Sequence, residues 1–407
     1  MHSSPLPADA ARVLARHREH FGRGAEALCR APGRVNLLGG HIDYSEGLVL
    51  PGAIDRALWG CAHRLEGAAG RVEVLAADLE RHGSFALDDL APPVPQRPVQ
   101  RADWLDYFRG PATIYWRCAA RRAADFGVAI TVAGDLPIGI GVSSSAALSV
   151  AQLLLLDALD IAANEPTSRL EWARFAQRSE NEYLGVQCGL MDPYACLHGS
   201  EGGVVLLDCR SETHHEVPFP SDLALLLVDT GVRRRLAGSG FNSRRDECVA
   251  AAQALRTLWP ELRTLRDVPA EELERAMACV DPPLGQRIRH VVSECERVRR
   301  GARALAEGDL ETFGAAMRAS HASSRDDYEV SIPELDLLAD AANEHPGCVG
   351  ARVSGAGFGG AILAVVHAAQ ADRVGRCVAR RFEQHFARTP RIEQVRIGPG
   401  ASCQRLV

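Results

Sequence analysis

Apolar residues form two patterns along the chain. In some stretches they recur about every 3.6 residues, and in others they form short, nearly continuous runs. The helical period predicts helices over residues 8–22, 104–121, 146–159, 170–183, 244–258, 271–280, 290–305 and 309–320. Short apolar runs predict strands within residues 71–90 and over residues 35–38, 128–132, 204–208, 223–229, 361–366 and 392–397, the last of the chain. Helices and strands are thus mixed throughout, and we find no internal repeat.

The length of the chain, 407 residues, exceeds what one ordinary hydrophobic core organises, so we expect two domains. A polar, proline-containing stretch over residues 210–222 separates two strands that we expect to be buried. We place the boundary there and predict domains of residues 1–212 and 213–407. Residues 91–98 are proline-rich and predict a loop, and we interpret Trp104, Tyr107 and Trp116 as core residues of one helix.

The composition excludes several classes of partner. The net charge is −6, which offers no electrostatic case for binding nucleic acid or an anionic membrane. No apolar run approaches the ~18 residues of a membrane span, and no signal peptide is evident at the amino end. The 12 cysteines contain no C-x-x-C pair, so we expect reduced thiols in a cytoplasmic protein and no zinc site.

A small-residue loop, Pro-Ile-Gly-Ile-Gly-Val-Ser-Ser-Ser-Ala over residues 137–146, follows a predicted strand and opens a predicted helix. Its two glycines permit a close backbone approach to a ligand. Its serines fall where the helix begins, and free N–H groups at such a position suit a phosphate. Serine hydroxyls there are also able to ligate Mg²⁺. The alternative is a tight turn with a serine cap.

Two common phosphate motifs do not account for this loop. A Walker loop requires lysine, and the chain contains none. A dinucleotide fingerprint requires a third glycine where Ser144 stands, and an acid at a strand end, whereas Asp157 and Asp160 fall within or at the end of the helical run. The loop therefore indicates a phosphate site built from hydroxyls and backbone.

Three further stretches, each rich in polar side chains or in glycine, are candidates for a functional site. Arg34, His41 and Asp43 flank a Gly-Gly turn, for which a surface loop with a local salt bridge is the alternative. Asp192 lies among Gly, Leu and Met, so we expect it to be at least half-buried; Asp-Pro also suits a helix N-cap with proline at the first helical position. Residues 354–360 hold several glycines, which predict close packing against a ligand or another loop.

These stretches resemble, in order along the chain, the galactokinase branch of the GHMP small-molecule kinases. The matching segments are residues 33–51, 137–146, 188–192, 320–330 and 354–360. The resemblance implies an α+β, two-domain GHMP kinase fold with the active site in the interdomain cleft. It implies an ATP-dependent sugar 1-kinase that transfers the γ-phosphoryl of ATP to the anomeric hydroxyl of galactose or a close relative. The implied ligands are the sugar, ATP and Mg²⁺, and the implied state is a monomer or dimer.

The resemblance also assigns roles to residues. It places Asp192 on the catalytic base, Arg34 on its partner, and Ser145 and Glu180 on the Mg²⁺ ligands. The implied sugar-binding positions are Arg34, His41, Asp43, Gly189, Asp192 and Phe241. The implied nucleotide-binding positions are Pro137, Gly139, Gly141, Val142, Ser143, Ser144, Ser145 and Ala146.

Three positions depart from the family's pattern: Gly40 replaces a glutamate, Phe241 a tyrosine and Pro193 a glutamine. The first two are sugar-contacting positions in the family, so we expect a sugar altered at or near C6, with galacturonate or L-arabinose as alternatives to galactose. The arginines 233–235 lie near Phe241 in the sequence and favour a uronate, unless they form a solvated loop.

Two other classes stay open. One is a sugar-sensing regulator of the same fold that has lost turnover. The other is a family kinase for mevalonate, homoserine or a similar alcohol. The complete catalytic set favours an enzyme, and the stretch around Arg34 to Asp43 favours the sugar branch.

Overall fold

The computed structural model describes residues 6–68, 70–86, 103–118, 127–159, 168–233 and 240–406, with the side chain of residue 118 excepted. The helices are α1 (Ala8–Phe21), α2 (Asp106–Cys118), α3 (Ser144–Leu159), α4 (Arg169–Arg178), α5 (Met191–His198), α6 (Phe241–Leu255), α7 (Leu273–Met277), α8 (Leu284–Glu307), α9 (Leu310–Asp326), α10 (Pro333–Asn343) and α11 (Ala371–Phe386). The strands are β1 (Ala27–Asn36), β2 (Leu48–Val49), β3 (Pro51–Leu65), β4 (Arg71–Ala76), β5 (Arg81–Ala86), β6 (Gly127–Gly134), β7 (Gly203–Asp208), β8 (Thr213–Pro218), β9 (Leu223–Asp229), β10 (Cys348–Val353), β11 (Ala361–His367), β12 (Arg391–Val395) and β13 (Ser402–Arg405).

The larger sheet has six strands in the order β13-β1-β3-β6-β4-β5, with α1 packed on one face and α3 on the other. Neighbouring residues of β1 point to opposite faces, as the pleat requires: Leu28 packs in a cluster with Ala10 and Val13 of α1, and Cys29 packs in the main core with α3. Helix α3 is buried at most of its positions, which explains why it is apolar around its whole circumference.

The second sheet has four strands in the order β10-β11-β9-β12. The two faces of this sheet pack in different hydrophobic clusters, because side chains alternate along each strand. Leu225 and Leu227 of β9 lie in the main core, whereas Leu226 and Val228 lie in a second cluster with residues of α10 and α11. A three-stranded sheet, β2-β7-β8, completes the fold. Among the described helices, none combines the length and hydrophobicity that a membrane span requires.

Side-chain caps fix several helix starts. Ser168 and Glu171 form a capping box at α4, with each side chain bonded to the other residue's backbone N–H. Asp309 caps α9 by accepting from the N–H of Thr312 at 3.0 Å. Proline supplies the first position of α10, where its missing N–H costs no hydrogen bond.

The mixed helices and strands of the sequence are confirmed, with several bounds corrected. The strand predicted over residues 35–38 is the end of the longer β1, and β13, not residues 392–397, is the last strand. The sequence pattern missed β2, β3, β8, β10, β13, α10 and α11, of which β8 lies inside the stretch interpreted as a domain boundary. The proline-rich loop predicted over residues 91–98 lies outside the described residues.

The predicted domain boundary at residues 212/213 stays a prediction. It falls inside the β7–β8 hairpin, in which Asp208 pairs with Thr213. In addition, β13 returns to pair with β1, so the carboxyl-terminal residues complete the larger sheet of the first half.

Candidate active site

A cavity of about 900 Å³ opens between the larger sheet and the second half of the chain. The first half contributes Arg34, Gly40, His41, Asp43, Gly139, Gly141, Ser143, Ser144, Ser145, Glu180 and Asp192, and the second half contributes Arg233, Phe241, Asn242, Gly355, Ala356 and Phe358. Most of the site residues named from the sequence therefore meet here. Pro137, Val142, Ala146 and Gly189 are not among the lining residues, and Val142 and Ala146 are buried beneath the surface of the loop.

The serine-rich loop leads from β6 into the first turn of α3. Gly139 and Gly141 have φ values of 82° and 88°, which glycine adopts without strain. Ser143 has a φ of 57°, a strained value for a residue with a side chain. Helix α3 starts at Ser144, so the first N–H groups of the helix have no partner within it and lie at the cavity wall. This is the arrangement that binds phosphate at other helix N-termini.

Asp192 is held from two sides at the first turn of α5. The Nε and Nη2 atoms of Arg34 donate to its Oδ1 at 2.8 and 2.7 Å, and the hydroxyl of Ser143 donates to its Oδ2. The Arg34 side chain is only 5% exposed and the Asp192 side chain 27%, so the ion pair is partly shielded from water. The predicted half-burial is confirmed. The N-cap interpretation is wrong, because Leu190 occupies the cap and no side chain caps this helix.

Asp43 lies in a short 3₁₀ helix, Asp43–Ser45, and packs against Gly189. Burial, and then the neighbouring charge of Asp192, raise the pKa of Asp43 from its ordinary value of 3.8 to about 7. A Cβ on Gly189 would lie 2.3 Å from Oδ2 of Asp43, so only glycine fits there. Gly189 therefore contributes to the site by giving room to the carboxylate.

His41 and its neighbours form an aromatic wall. Nε2 of His41 lies 3.1 Å from the carbonyl oxygen of Ala356, which can only accept, so this nitrogen carries the proton. Nδ1 lies 3.0 Å from the hydroxyl of Tyr44, which in turn is 2.8 Å from the hydroxyl of Tyr328. The rings of His41 and Tyr44 each lie 5.5 Å from the ring of Phe241. This network joins the Arg34-to-Asp43 segment to the second half of the chain.

Glu180 has the features expected of a cation ligand. It lies in a π-helical turn, Ser179–Leu184, that extends α4; such turns are frequent at functional sites. Its Oε1 is buried without a hydrogen-bond partner, and burial, followed by the charge of Asp192, raises its pKa while the Ser145 hydroxyl lowers it. An orphaned carboxylate oxygen beside a hydroxyl is a donor set that fits Mg²⁺.

The glycine-rich stretch near the carboxyl end packs against other loops. Ser354 donates to the carbonyl oxygen of Gly141 at 3.4 Å. Cβ atoms on Gly357 and Gly359 would lie 2.1 and 2.7 Å from the carbonyl oxygens of Val330 and Val232. Of the two interpretations left open for this stretch, the structure therefore supports packing against another loop.

The sequence interpretation missed several residues that line the cavity, among them two aromatic residues and an arginine. Trp104 packs against the main core as expected but also lines the cavity, Tyr107 lines the cavity as well, and Trp116 is buried as expected. Arg233 also lines it: its Nη1 is 3.8 Å from the position of a Cβ on Gly139 and 3.1 Å from Asp229. Arg233 thus lies at the phosphate loop; Arg234 and Arg235 lie outside the described residues.

Comparison with solved structures identifies the class of protein. The structure superposes on mevalonate kinase from Methanococcus jannaschii with a TM-score of 0.62 and 16% identity, covering 93% of this chain and 100% of that one, which shows a shared fold. Family profiles for the GHMP kinase N-terminal and C-terminal domains match residues 112–200 and 302–384. The fold and the matching domain profiles are those of a GHMP-type small-molecule kinase, a phosphotransferase.

Closer comparisons identify the family within that class. The galactokinase galactose-binding signature matches residues 15–64. The chain is 38% identical to a galactokinase from Roseiflexus sp. (strain RS-1) over 397 residues, 96% of each chain, and 38% identical to a galactokinase from Chloroflexus aggregans over 398 residues, 96% of this chain and 97% of that one. Its structure matches that of Lactococcus lactis galactokinase complexed with galactose with a TM-score of 0.88 and 30% identity, covering 96% and 99% of the two chains. The chain belongs to the galactokinase family.

Proposed function

We propose that this protein is an ATP-dependent sugar 1-kinase that transfers the γ-phosphoryl of ATP to the anomeric hydroxyl of galactose or a close relative. The observation that carries the proposal is the contact of Asp192 with both Arg34 and Ser143. It puts an ion-paired carboxylate directly beside the phosphate loop, where an acceptor hydroxyl meets the transferred phosphoryl.

The nucleotide binds along the serine-rich loop. The free N–H groups at the start of α3 bind its phosphates, with residues 137–146 as the surrounding backbone and hydroxyls. Arg233, which lies beside Gly139 and pairs with Asp229, brings a guanidinium to the loop in a chain without lysine. Trp104 and Tyr107 supply apolar surface elsewhere in the same cavity.

Asp192 accepts the proton of the sugar hydroxyl as that oxygen attacks phosphorus. A positioned base of this kind typically contributes ~10²- to 10⁴-fold to the rate. The Arg34 guanidinium holds the carboxylate in place through the ion pair and adds positive charge near the transferred group. The hydroxyl of Ser143 fixes the second carboxylate oxygen, so the base is preorganised.

Ser145 and Glu180 are the residues that would hold Mg²⁺, because Oε1 of Glu180 is buried without a hydrogen-bond partner beside the Ser145 hydroxyl. When bound, the ion neutralises charge on the phosphates. Asp43 and the segment around His41 orient the sugar, with Gly189 giving room to Asp43 and Phe241 forming the apolar wall. We further propose that the enzyme works in the cytoplasm, where ATP is available.

The test is ADP release with Mg-ATP and a panel of acceptors: D-galactose, L-arabinose, D-galacturonate, N-acetylgalactosamine, mevalonate and homoserine. We expect turnover of a galactose-like sugar, loss of that turnover in Asp192→Asn, and a product whose ³¹P NMR signal is that of an anomeric phosphate. Sugar binding without ADP release in the unaltered protein would make it a sensor. Turnover of mevalonate or homoserine alone would place it in another branch of the kinases.

A further inference from the structure

Two cysteines lie directly opposite each other where β13 pairs with β1. Cys29 of β1 is the register partner of Cys403 of β13, and both are free thiols. Residues that are opposite each other in neighbouring strands point to the same face of the sheet. That face is the one under α3, because Cys29 packs in the main core and the Cys403 thiol donates to the carbonyl oxygen of Leu154 of α3 at 3.5 Å. The two sulfur atoms therefore share one space beneath α3.

The Cys29–Cys403 pair is of the closer of the two kinds that alternate in an antiparallel ladder. At the end of this ladder the N–H of Leu406 donates to the carbonyl oxygen of Glu26 at 2.8 Å, which makes the adjacent pair of residues a non-hydrogen-bonded one. The cysteine pair lies two positions further along and is of the same kind. The α-carbons of such a pair are about 4.5 Å apart. A disulfide joins α-carbons that are about 4.4–6.8 Å apart, so the register already permits the bond.

The two thiols contact each other but differ in their access to solvent. Cys29 is fully buried, whereas Cys403 is half-buried on a short strand at the edge of the sheet. Burial, and then the hydrogen bond to the Cys403 thiol, raise the pKa of Cys29 well above its ordinary value. Short edge strands near a chain end open locally more readily than the core, and opening of β13 exposes Cys403 first. Cys403 is therefore the thiol that meets a reagent from solution.

We infer that Cys29 and Cys403 form a site of reversible thiol–disulfide exchange, at which a low-molecular-weight disulfide such as oxidised glutathione links β13 covalently to β1. This site is independent of the proposed kinase activity. The Cys403 thiolate attacks one sulfur of the oxidised glutathione, and one glutathione thiolate leaves. The Cys29 thiolate then attacks the Cys403 sulfur of the mixed disulfide, and the second glutathione thiolate leaves. The protein gives up two electrons and two protons, and one oxidised glutathione becomes two reduced molecules.

The disulfide stabilises the protein because it joins residues near opposite ends of the chain. A link across so long a loop removes much of the conformational freedom of the unfolded state. It uses the strand register that already exists, so the larger sheet keeps its form. We expect oxidation to raise the urea midpoint of unfolding by about 1 M. We also expect amide hydrogen exchange of β13 to slow at least roughly tenfold, and dithiothreitol to reverse both changes.

The test incubates the full, reduced chain with glutathione at increasing ratios of the oxidised to the reduced form. Remaining thiols are alkylated, and the protein is digested with trypsin without reduction. Cleavage after arginine puts Cys29 in the fragment of residues 24–30 and Cys403 in that of residues 397–405, and neither fragment holds another cysteine. We expect mass spectrometry to find the two fragments joined, with the loss of two hydrogen atoms. Exposed Cys377 reports the strength of the oxidant, since it takes up glutathione in the same sample.

Variants assign the effect to this pair. We expect Cys403→Ser to lose both the joined fragments and the rise in urea midpoint, whereas Cys279→Ser, at an exposed position, keeps both. Fragments that stay separate at a glutathione ratio that fully modifies Cys377 overturn the inference. Fragments that join only after unfolding in urea, or a link from Cys29 to another cysteine, overturn it as well. If Cys403→Ser fails to fold, the fragment masses from the unaltered protein still decide.

Discussion

Arg34 and Asp192 lie 158 residues apart in the chain and meet in a paired contact, with Nε and Nη2 of Arg34 at 2.8 and 2.7 Å from Oδ1 of Asp192. The remaining nitrogen, Nη1, donates to the carbonyl oxygen of Gly141 at 2.6 Å. One side chain therefore links the proposed base to the phosphate loop. In the proposed mechanism, this link sets the distance between the acceptor hydroxyl and the transferred phosphoryl.

Replacing Asp192 by asparagine tests the base. The amide keeps the size of the side chain but cannot accept a proton at neutral pH, so we expect kcat to fall by ~10²- to 10⁴-fold. Coupled measurement of ADP release gives kcat, and Asp372→Asn, on the exposed face of α11, is the control. A kcat that stays within a few-fold of the unaltered protein would show that Asp192 mainly positions other groups.

Glu180→Gln tests the cation site. The substitution removes the charge of the carboxylate whose Oε1 has no hydrogen-bond partner. Residues that only hydrogen-bond to a metal ligand typically contribute roughly 10–100-fold to metal affinity. Because Glu180 is a proposed ligand itself, we expect the Mg²⁺ concentration for half-maximal rate to rise at least ~10-fold. Glu182→Gln is a matched control in the same π-turn, because Glu182 is 39% exposed and pairs with Arg178. Equal Mg²⁺ dependence in the two variants would place the ion elsewhere.

Gly189→Ala tests how Asp43 is positioned. The new methyl group would lie 2.3 Å from Oδ2 and 2.8 Å from the backbone carbon of Asp43, so the carboxylate must move. Overpacking of this kind costs about 1–3 kcal/mol, and we expect the KM for the sugar to rise roughly 5- to 150-fold while the KM for ATP changes little. Gly375→Ala is the control, since its methyl group would make only ordinary contacts of 3.7 and 3.8 Å. A parallel rise in both KM values would instead indicate damage to the whole site.

The pKa of Asp43 predicts a dependence of stability on pH. Because its pKa is about 7 in the folded protein and near 3.8 ordinarily, the folded state holds a proton that the unfolded state releases between these values. The free energy of unfolding therefore falls as pH rises from about 4 to about 7, and this loss is absent in Asp43→Asn. We expect the variant's stability relative to the unaltered protein to increase through this window and then level off.

Urea unfolding at pH 4.5, 5.5, 6.5 and 7.5, without ligands, measures this difference. Asp309→Asn is the control: hydrogen bonds from Thr312 lower the pKa of Asp309, so its titration lies below this window and its difference stays constant. A constant difference for Asp43→Asn as well would mean that Asp43 is ionised throughout.

The sequence predicted well those parts of the site that are contiguous in the chain. The phosphate loop, the acid of α5 and the glycine-rich stretch each carry their signal within about ten residues, because turn geometry and helix starts are local properties. Strongly apolar elements such as β6, β9 and α3 were likewise visible. The long β3, whose side chains alternate in burial irregularly, gave no clear period. Helix α11 was missed although its buried Val374, Val378 and Phe382 recur at helical spacing.

Contacts between distant segments could not be predicted. Arg352 and the Asn36 carbonyl that it bonds are 316 residues apart, and no local pattern marks a buried arginine beside a glycine. From the sequence, arginines 233–235 were the basic residues expected near the sugar, because they are close to Phe241 along the chain. The structure places Arg233 at the phosphate loop and Arg352 at Gly40.

The pairing of β13 with β1 has a consequence for biosynthesis. Strand β1 carries Arg34, and its residues 27–30 pair along one edge with β13, which follows every other described strand in the chain. An uncovered edge strand is open to pairing with other chains. This edge of the strand that bears Arg34 is thus closed only after β13 is synthesised, and a chain stalled before residue 402 would present the edge of residues 27–30 unpaired.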